Sequence, residues 1–532
     1  GMGTMLQAAG LVAGEVPELW CLTHADAVTA VHRAYVEAGS DVVTTNTFGA
    51  NATKLGDAAT VEEVFSAAVS CARAAHPRYV AADLGPTGQL LAPMGPLAFD
   101  DAYELFARQV RAAADAGADL FVIETMSDLA EAKAALLAVR ENSDLPVLVT
   151  MTFEEDGRTF LGTTPEVAAL TLSSLHADAV GINCSLGPAE VAPLVARMAQ
   201  WSPCPLMVQA NAGLPHVEDG VTVYDIGPER FAAEVAPMLE AGVTILGGCC
   251  GTTPEHIAAE RALLSGRVPL RRSLPDRFAV CGPQRVTSLA PGEVGVIGER
   301  INPTGKPRLK QALREGDLEY LCREGIAQTE HGADILDVNV GLPELDEPAV
   351  MERAIINLQS VTNTPLQIDT SNVEAMERAL RIYNGKPLVN SVNGKEESLH
   401  TVLPLVKKYG AAVVALTLDE KGIPASAAER VAIAEKILKT AESYGIDRSD
   451  VIIDTLAMTV STGADNAMIT LDALDTIRHK LGVHTVLGVS NISFGLPRRE
   501  LVTSTFFAMA MQRGLSSGII NPLSDELMKA YR

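Results

Sequence analysis

The sequence predicts an α/β fold made of two (β/α)8 barrels in tandem, on three observations. Short runs rich in Val, Ile and Leu alternate with longer helical patterns, as expected of parallel strands buried on both faces. The rhythm runs twice, with seven apolar runs before residue 265 and eight after residue 290. Finally, 532 residues exceed what a single core supports, whereas two barrels of about 250 residues each account for them.

In chain order, front-half strands are expected at 41–45, 79–82, 120–124, 146–150, 179–183, 205–209 and 244–246. Gly1 to Thr4 reads as a glycine-rich loop entering a helix, so the first strand of the first barrel is expected to be absent from this sequence. Residues 266–291 carry four prolines and the basic cluster Arg267, Arg271 and Arg272 with little apolar periodicity, and read as a linker. Back-half strands are expected at 294–298, 334–340, 365–369, 387–390, 412–418, 451–454, 485–489 and 517–520. The predicted domains are therefore 1–265 and 292–532.

Composition narrows the function. The 42 Lys and Arg fall well short of the 66 Asp and Glu, giving a net charge of −24 that disfavours nucleic acid and anionic membranes as partners. No apolar run approaches the roughly 20 residues of a membrane-spanning helix, and no signal-peptide pattern opens the chain. A cytoplasmic protein is expected. Eight cysteines are too sparse for a disulfide framework at this length.

Barrel chemistry sits on loops after the strand C-termini, so polar residues there carry the functional reading. Cys184 ends one predicted strand, and Cys249 and Cys250 end another, two strands on in an eight-stranded barrel. The three can meet at one mouth, because Gly247, Gly248 and Gly251 permit the turn that aims adjacent cysteines at one ion. Three thiolates leave a tetrahedral zinc one open position, and soft sulfur favours zinc over magnesium or calcium. Thr252-Thr253-Pro254-Glu255 reads as a helix start whose positive end favours the ionised thiols. So sulfur-rich an ion is a poor activator of water but a good holder of a substrate thiolate, which points to alkyl transfer onto sulfur. The remaining cysteines, Cys21, Cys71, Cys204, Cys281 and Cys322, read as small buried packing residues.

The front half resembles the homocysteine S-methyltransferase family. The resemblance rests on Gly3-Thr4-Met5-Leu6, Thr44-Thr45-Asn46-Thr47-Phe48, Leu84-Gly85-Pro86-Thr87-Gly88, Ile123-Glu124-Thr125, Gly162-Thr163-Thr164-Pro165-Glu166, Gly181-Ile182-Asn183-Cys184 and Gly247-Gly248-Cys249-Cys250-Gly251-Thr252. It implies zinc on the three cysteines and a role for Glu124 in holding the amino group of homocysteine.

In the back half nearly every predicted strand ends in Asp or Asn: Asp337 and Asn339, Asp369, Asn390 and Asn393, Asp454, Asn491. Buried carboxylates need partners, and these loops offer no matching set of Arg or Lys. A flat heterocycle presenting both donors and acceptors would satisfy them. Capping of the following helix is the bland reading of any single one. No phosphate-binding glycine fingerprint and no metal-loop spacing accompanies the ring.

Gly298-Glu299-Arg300-Ile301-Asn302, Leu336-Asp337-Val338-Asn339, Ile368-Asp369-Thr370-Ser371-Asn372, Val389-Asn390-Ser391, Ile453-Asp454 and Gly488-Val489-Ser490-Asn491 resemble the pterin-binding domain of methyltetrahydrofolate:corrinoid methyltransferases. The resemblance implies that Asp369, Asn390 and Asp454 hold the pterin, that Asp337 and Asn339 lie nearby, and that Asn491 contacts N5. The order of the two halves resembles the N-terminal half of the cobalamin-dependent methionine synthase family. That implies homocysteine and 5-methyltetrahydrofolate as substrates, with cobalamin as carrier. No Asp-x-His-x-x-Gly cobalamin motif occurs in this sequence, so a corrinoid-carrying domain or protein outside the chain is expected. The alternative is a zinc-dependent thiol methyltransferase joined to a methyltetrahydrofolate:corrinoid methyltransferase that serves a separate corrinoid protein.

Overall fold

Two structural units, Gly1–Leu274 and Pro275–Arg532, make up the chain. The computed structural model describes every residue except Ala13, Pro215, Asp219, Gly220, Asp276 and Pro291, the last two falling within the expected linker. None of the described helices is long and apolar enough to cross a membrane.

In the first unit, strands β1 (Val42–Thr44), β2 (Tyr79–Leu84), β3 (Leu120–Met126), β4 (Val147–Met151), β5 (Ala179–Asn183) and β6 (Leu206–Ala210) precede a short antiparallel hairpin, β7 (His216–Glu218) and β8 (Val221–Val223), which the sequence reading missed. Strand β9 (Val243–Gly248) follows, and the seven main strands pair in parallel in the order β1-β2-β3-β4-β5-β6-β9. The sheet is open: β1 and β9 are its two ends, and both line a cavity of about 360 Å³. This agrees with the seven predicted strands.

The second unit begins with a hairpin, β10 (Phe278–Cys281) and β11 (Val286–Leu289), inside the stretch expected to be linker. Its apolar residues explain it, because Phe278, Val280 and Leu289 join one buried cluster with Ile297, Ile335, Leu388, Ala412, Ile452 and Val486. Strands β12 (Gly295–Ile301), β13 (Ile335–Val338), β14 (Leu366–Asp369), β15 (Leu388–Asn393), β16 (Ala412–Leu416), β17 (Val451–Asp454), β18 (His484–Gly488) and β19 (Ser517–Ile520) then close into a parallel barrel. Pairing of β12 with β19 completes the ring.

That cluster identifies the barrel interior, because its members come from six different strands of the ring and still touch. Side chains alternate across a strand, so residues two positions further on also face inward. Glu299, Asp337, Asn390, Asp454 and Gly488 therefore point into the barrel at its C-terminal end, which is the end carrying function in such folds. In the first unit the corresponding interior residues are Ala81, Val122 and Met207, packed with Leu120, Leu148 and Ile245. Two positions beyond Ala81, Val122 and Met207 are Asp83, Glu124 and Gln209.

The opposite ends of the strands are pinned differently. Asp119, Asp178 and Asp334 accept from the backbone N–H of Val80, Val147 and Val296 at 2.7, 2.8 and 2.9 Å. These are structural aspartates, each with a clear donor.

Candidate functional sites

The front site is assembled by two loops. Cys184 follows β5 with φ at +60°, and its N–H donates to the Gln209 carbonyl at 3.0 Å, which turns the chain out of the sheet. Cys249 and Cys250 follow β9. The Cys249 N–H donates to the Ala210 carbonyl at 2.8 Å, and the Cys250 N–H to Asn211 Oδ1 at 3.0 Å. Gly251 has φ at +77°, and a Cβ there would come within 2.3 Å of the Tyr224 ring, so this position needs glycine on both counts.

The result is the convergence the sequence predicted. The three sulfurs lie within 4.8 Å of one another, and Cys184 and Cys250 Sγ are 3.9 Å apart. A tetrahedral zinc with bonds of about 2.3 Å places its sulfurs about 3.8 Å apart. The residues fit the ion.

Thiol protons are shared unequally in this group. Hydrogen bonds from Cys184 and Cys249 hold the Cys250 thiol well below its ordinary value, while hydrogen bonding to Cys184 pushes Cys249 well above. The helix Pro254–Leu264 starts next to the cluster as predicted, with Pro254 in its first turn. Its cap differs from the usual glutamate box: His256 Nδ1 accepts from the Thr253 N–H at 3.1 Å, and its Nε2–H donates to the Ile226 carbonyl at 2.8 Å.

Glu124 reaches the same mouth from β3. Burial, and then the charge of Cys250, raise its carboxyl to about 7. Asn183 fixes the strand end: its Oδ1 accepts from the Thr125 N–H at 2.7 Å and Thr150 Oγ1 at 2.8 Å, and its Nδ2 donates to Thr125 Oγ1 at 2.7 Å. The sequence reading missed Asn183, although it directly precedes Cys184. Of the other cysteines, Cys21, Cys71 and Cys281 are buried as expected, whereas Cys204 and Cys322 are only half-buried.

In the back barrel a network of amides and acids lines the mouth. Asp369 Oδ2 accepts from Asn339 Nδ2 at 3.1 Å and Asn302 Nδ2 at 3.3 Å. Asp337 Oδ1 accepts from Gln367 Nε2 at 2.5 Å and is also hydrogen-bonded to Asn390. Asp454 Oδ1 accepts from the Leu456 N–H at 2.7 Å. Burial raises all three carboxyls, Asp369 and Asp454 to about 6 and Asp337 well above its ordinary value.

Five of the six predicted pterin residues thus lie on or directly after β13, β14, β15 and β17. Asn491 lies on a short helical turn, Val489–Ser493, after β18; it is exposed, with its Nδ2 beside Gly488. Asn393, predicted alongside them, instead accepts from the Lys395 N–H at 3.0 Å, a turn role. Sequence reasoning also passed over Gln367, Glu299 and Arg430. Both Glu299 oxygens accept from Ser490 Oγ, at 3.1 and 3.2 Å, which ties down the turn bearing Asn491. Arg430 is fully buried and donates to the Thr455 and Leu456 carbonyls at 2.6 and 2.8 Å, fixing the loop after Asp454. Glu299 was detectable by strand alternation from the apolar residue at 297; Gln367 is marked only by its pairing opposite Asp337, and Arg430 sits on a helix, where nothing in its local pattern marks it.

Comparison with known proteins agrees with this division. Residues 1–264 match the homocysteine S-methyltransferase family model and residues 298–521 that of the pterin binding enzymes. The chain is 32% identical to a methionine synthase of Mycobacterium tuberculosis over an alignment of 560 residues, covering 98% of this chain and 47% of the relative. It is also 32% identical to the methionine synthase of Mycobacterium leprae, covering 98% and 46%. The chain therefore spans about half the length of the curated relatives it matches. The solved structure of the metallated homocysteine methyltransferase MmuM from Escherichia coli is 23% identical, covering 49% of this chain and 93% of that one, with a TM-score of 0.41.

Proposed function

Since the chain belongs to the homocysteine S-methyltransferase family over residues 1–264 and to the pterin binding enzymes over 298–521, we propose that it serves methyl transfer from 5-methyltetrahydrofolate to homocysteine through cobalamin, giving tetrahydrofolate and methionine. The observation that carries the reading is the meeting of Cys184, Cys249 and Cys250 at one mouth with sulfur spacings suited to a single zinc.

In this reading the first domain, 1–265, holds seven strands of a (β/α)8 barrel, the second, 292–532, is a closed one with the hairpin of the connecting stretch 266–291 packed on it, and the protein acts in the cytoplasm. Zinc on the three sulfurs would lower the pKa of an incoming thiol and hold it as a nucleophilic thiolate at neutral pH. Glu124 receives the substrate's ammonium group.

In the second barrel Asp369 and Asp454 accept from the pterin's N–H groups, while Asn339 and Asn390 supply amides, with Asp337 held behind them by Gln367. Asn491 is placed at N5, where hydrogen bonding to the nitrogen eases departure of the methyl group. Its exposed position leaves its amide free for that contact. Cobalamin supplies the carrier chemistry from a domain or protein outside residues 1–532.

The test is methyl transfer from methylcobalamin to homocysteine by zinc-loaded protein. Activity lost in Cys184→Ala and Cys250→Ala supports the proposal; transfer at the wild-type rate in either variant overturns the metal assignment.

A further inference from the structure

Among the described residues, Asp83 and Glu260 are the two buried acids of the first unit that keep an oxygen without a hydrogen-bond donor, and Asp83 is the one carried by a strand of the sheet, Glu260 lying on the helix Pro254–Leu264. Asp83 is 5% exposed, and its Oδ1 is buried without a hydrogen-bond donor. Asp119 and Asp178 accept backbone N–H groups and arginines, and Asp128 caps a helix through the Ala130 N–H at 2.8 Å. Leaving a carboxylate oxygen dry and unpaired costs several kcal/mol, so a fold retains it where a ligand supplies the donor.

Its direction is set by the sheet. Ala81 packs into the interior cluster, so Asp83, two residues on, projects into the same interior one layer nearer the mouth. Glu124 lies two residues beyond Val122, which is the residue that pairs with Asp83 across β2 and β3. The two carboxylates therefore share one interior face on neighbouring strands, close enough that the charge of Glu124 adds to burial in raising the Asp83 carboxyl. The Asp83 backbone is immobilised as well: its N–H donates to Thr45 Oγ1 at 3.1 Å and its carbonyl accepts from Thr47 Oγ1 at 2.8 Å.

Resting on the thiol-methylation reading above, we infer that Asp83 is a specificity-determining residue whose free oxygen, together with Glu124, seats the ammonium group of a thiol amino acid. An ammonium carries three N–H donors, more than one carboxylate oxygen engages, and its positive charge offsets the repulsion between the two acids. The site thereby selects thiols bearing an α-amino group over thiols lacking one.

The experiment uses the full chain with Co(II) in place of zinc, titrated with homocysteine and with 4-mercaptobutanoate, its analogue without the amino group. Sulfur binding is read from the thiolate-to-cobalt absorption. Wild type is expected to prefer homocysteine, and Asp83→Asn to reduce that preference by about tenfold or more by weakening homocysteine alone. If Asp83 instead carries a proton and only hydrogen-bonds to Glu124, the asparagine makes the same donation and the preference stays at wild type, which overturns the inference while leaving the zinc site intact. If neither thiol changes the wild-type spectrum, both readings fall. Glu124→Gln keeps Asp83 in place and is expected to retain part of the preference; its complete loss would assign all selectivity to Glu124 and also overturn the inference.

Discussion

The two mouths solve opposite problems of charge. The front site gathers three soft sulfurs from two loops, an arrangement suited to a soft cation. The back site gathers hard oxygens and amides from strand ends and keeps its carboxyls raised, with Asp369 and Asp454 near 6, an arrangement that requires hydrogen-bond donors. The geometry follows the chemistry. The sulfurs sit on loops that turn through left-handed backbone, Cys184 at φ +60° and Gly251 at +77°, whereas the oxygens sit at strand ends of a closed barrel whose pairing shifts register beside Asn390. A metal site can therefore be lost through one loop residue, while the pterin site degrades by single hydrogen bonds.

The largest effect expected is on metal. Cys184→Ala or Cys250→Ala should drop bound zinc from one per chain to near zero after gel filtration, with at least a hundredfold loss of affinity, because even supporting residues of metal sites cost about 10–100-fold. Folate binding should not change, since the two sites lie in separate units. Zinc retained in these variants, or lost together with folate binding, would break the division of labour.

Next in size, Asp369→Asn and Asp454→Asn should weaken 5-methyltetrahydrofolate by about 2–3 kcal/mol in calorimetry with zinc content unchanged. Full affinity in both would remove the acids from the pterin site.

Gly251→Ala sharpens the contrast in backbone. A positive φ and a collision with Tyr224 should cost about 1–3 kcal/mol of stability and weaken zinc with every ligand atom still present. Unfolding midpoints and chelator competition check both parts.

The smallest effect is on pH dependence. The folded Asp454 titrates at about 6 against an ordinary value of 3.8, so its contribution to stability is complete below about 3.8 and is lost as pH rises through about 6. The ligand-free protein should lose on the order of 1 kcal/mol from this group between pH 5 and pH 7. Asp454→Asn should remove that part of the slope in thermal unfolding. An unchanged slope would mean that the group titrates normally.

Much of this was legible from residue order alone. Apolar runs separated by helical patterns located all fifteen main strands to within a few residues, and the glycines around Cys249 and Cys250 announced the turn that brings the sulfurs together. The hairpin of β10 and β11 was hidden because Pro283 and the basic cluster outweigh its short alternation of Phe278 and Val280, whose burial depends on the barrel it seals. Asp83 and Gln367 were hidden for a different reason: an acid or amide inside a strand looks like a surface residue until its neighbours are known to face inward. Asn491 was found by motif, and its exposure on a turn could not be read from spacing.

The account turns on whether the three-sulfur site keeps a coordination position for a substrate thiol. X-ray absorption at the zinc edge measures this directly. It should show three sulfurs and one lighter ligand in the resting protein, and four sulfurs once homocysteine is added. Four sulfurs before addition, or three both before and after, would contradict it.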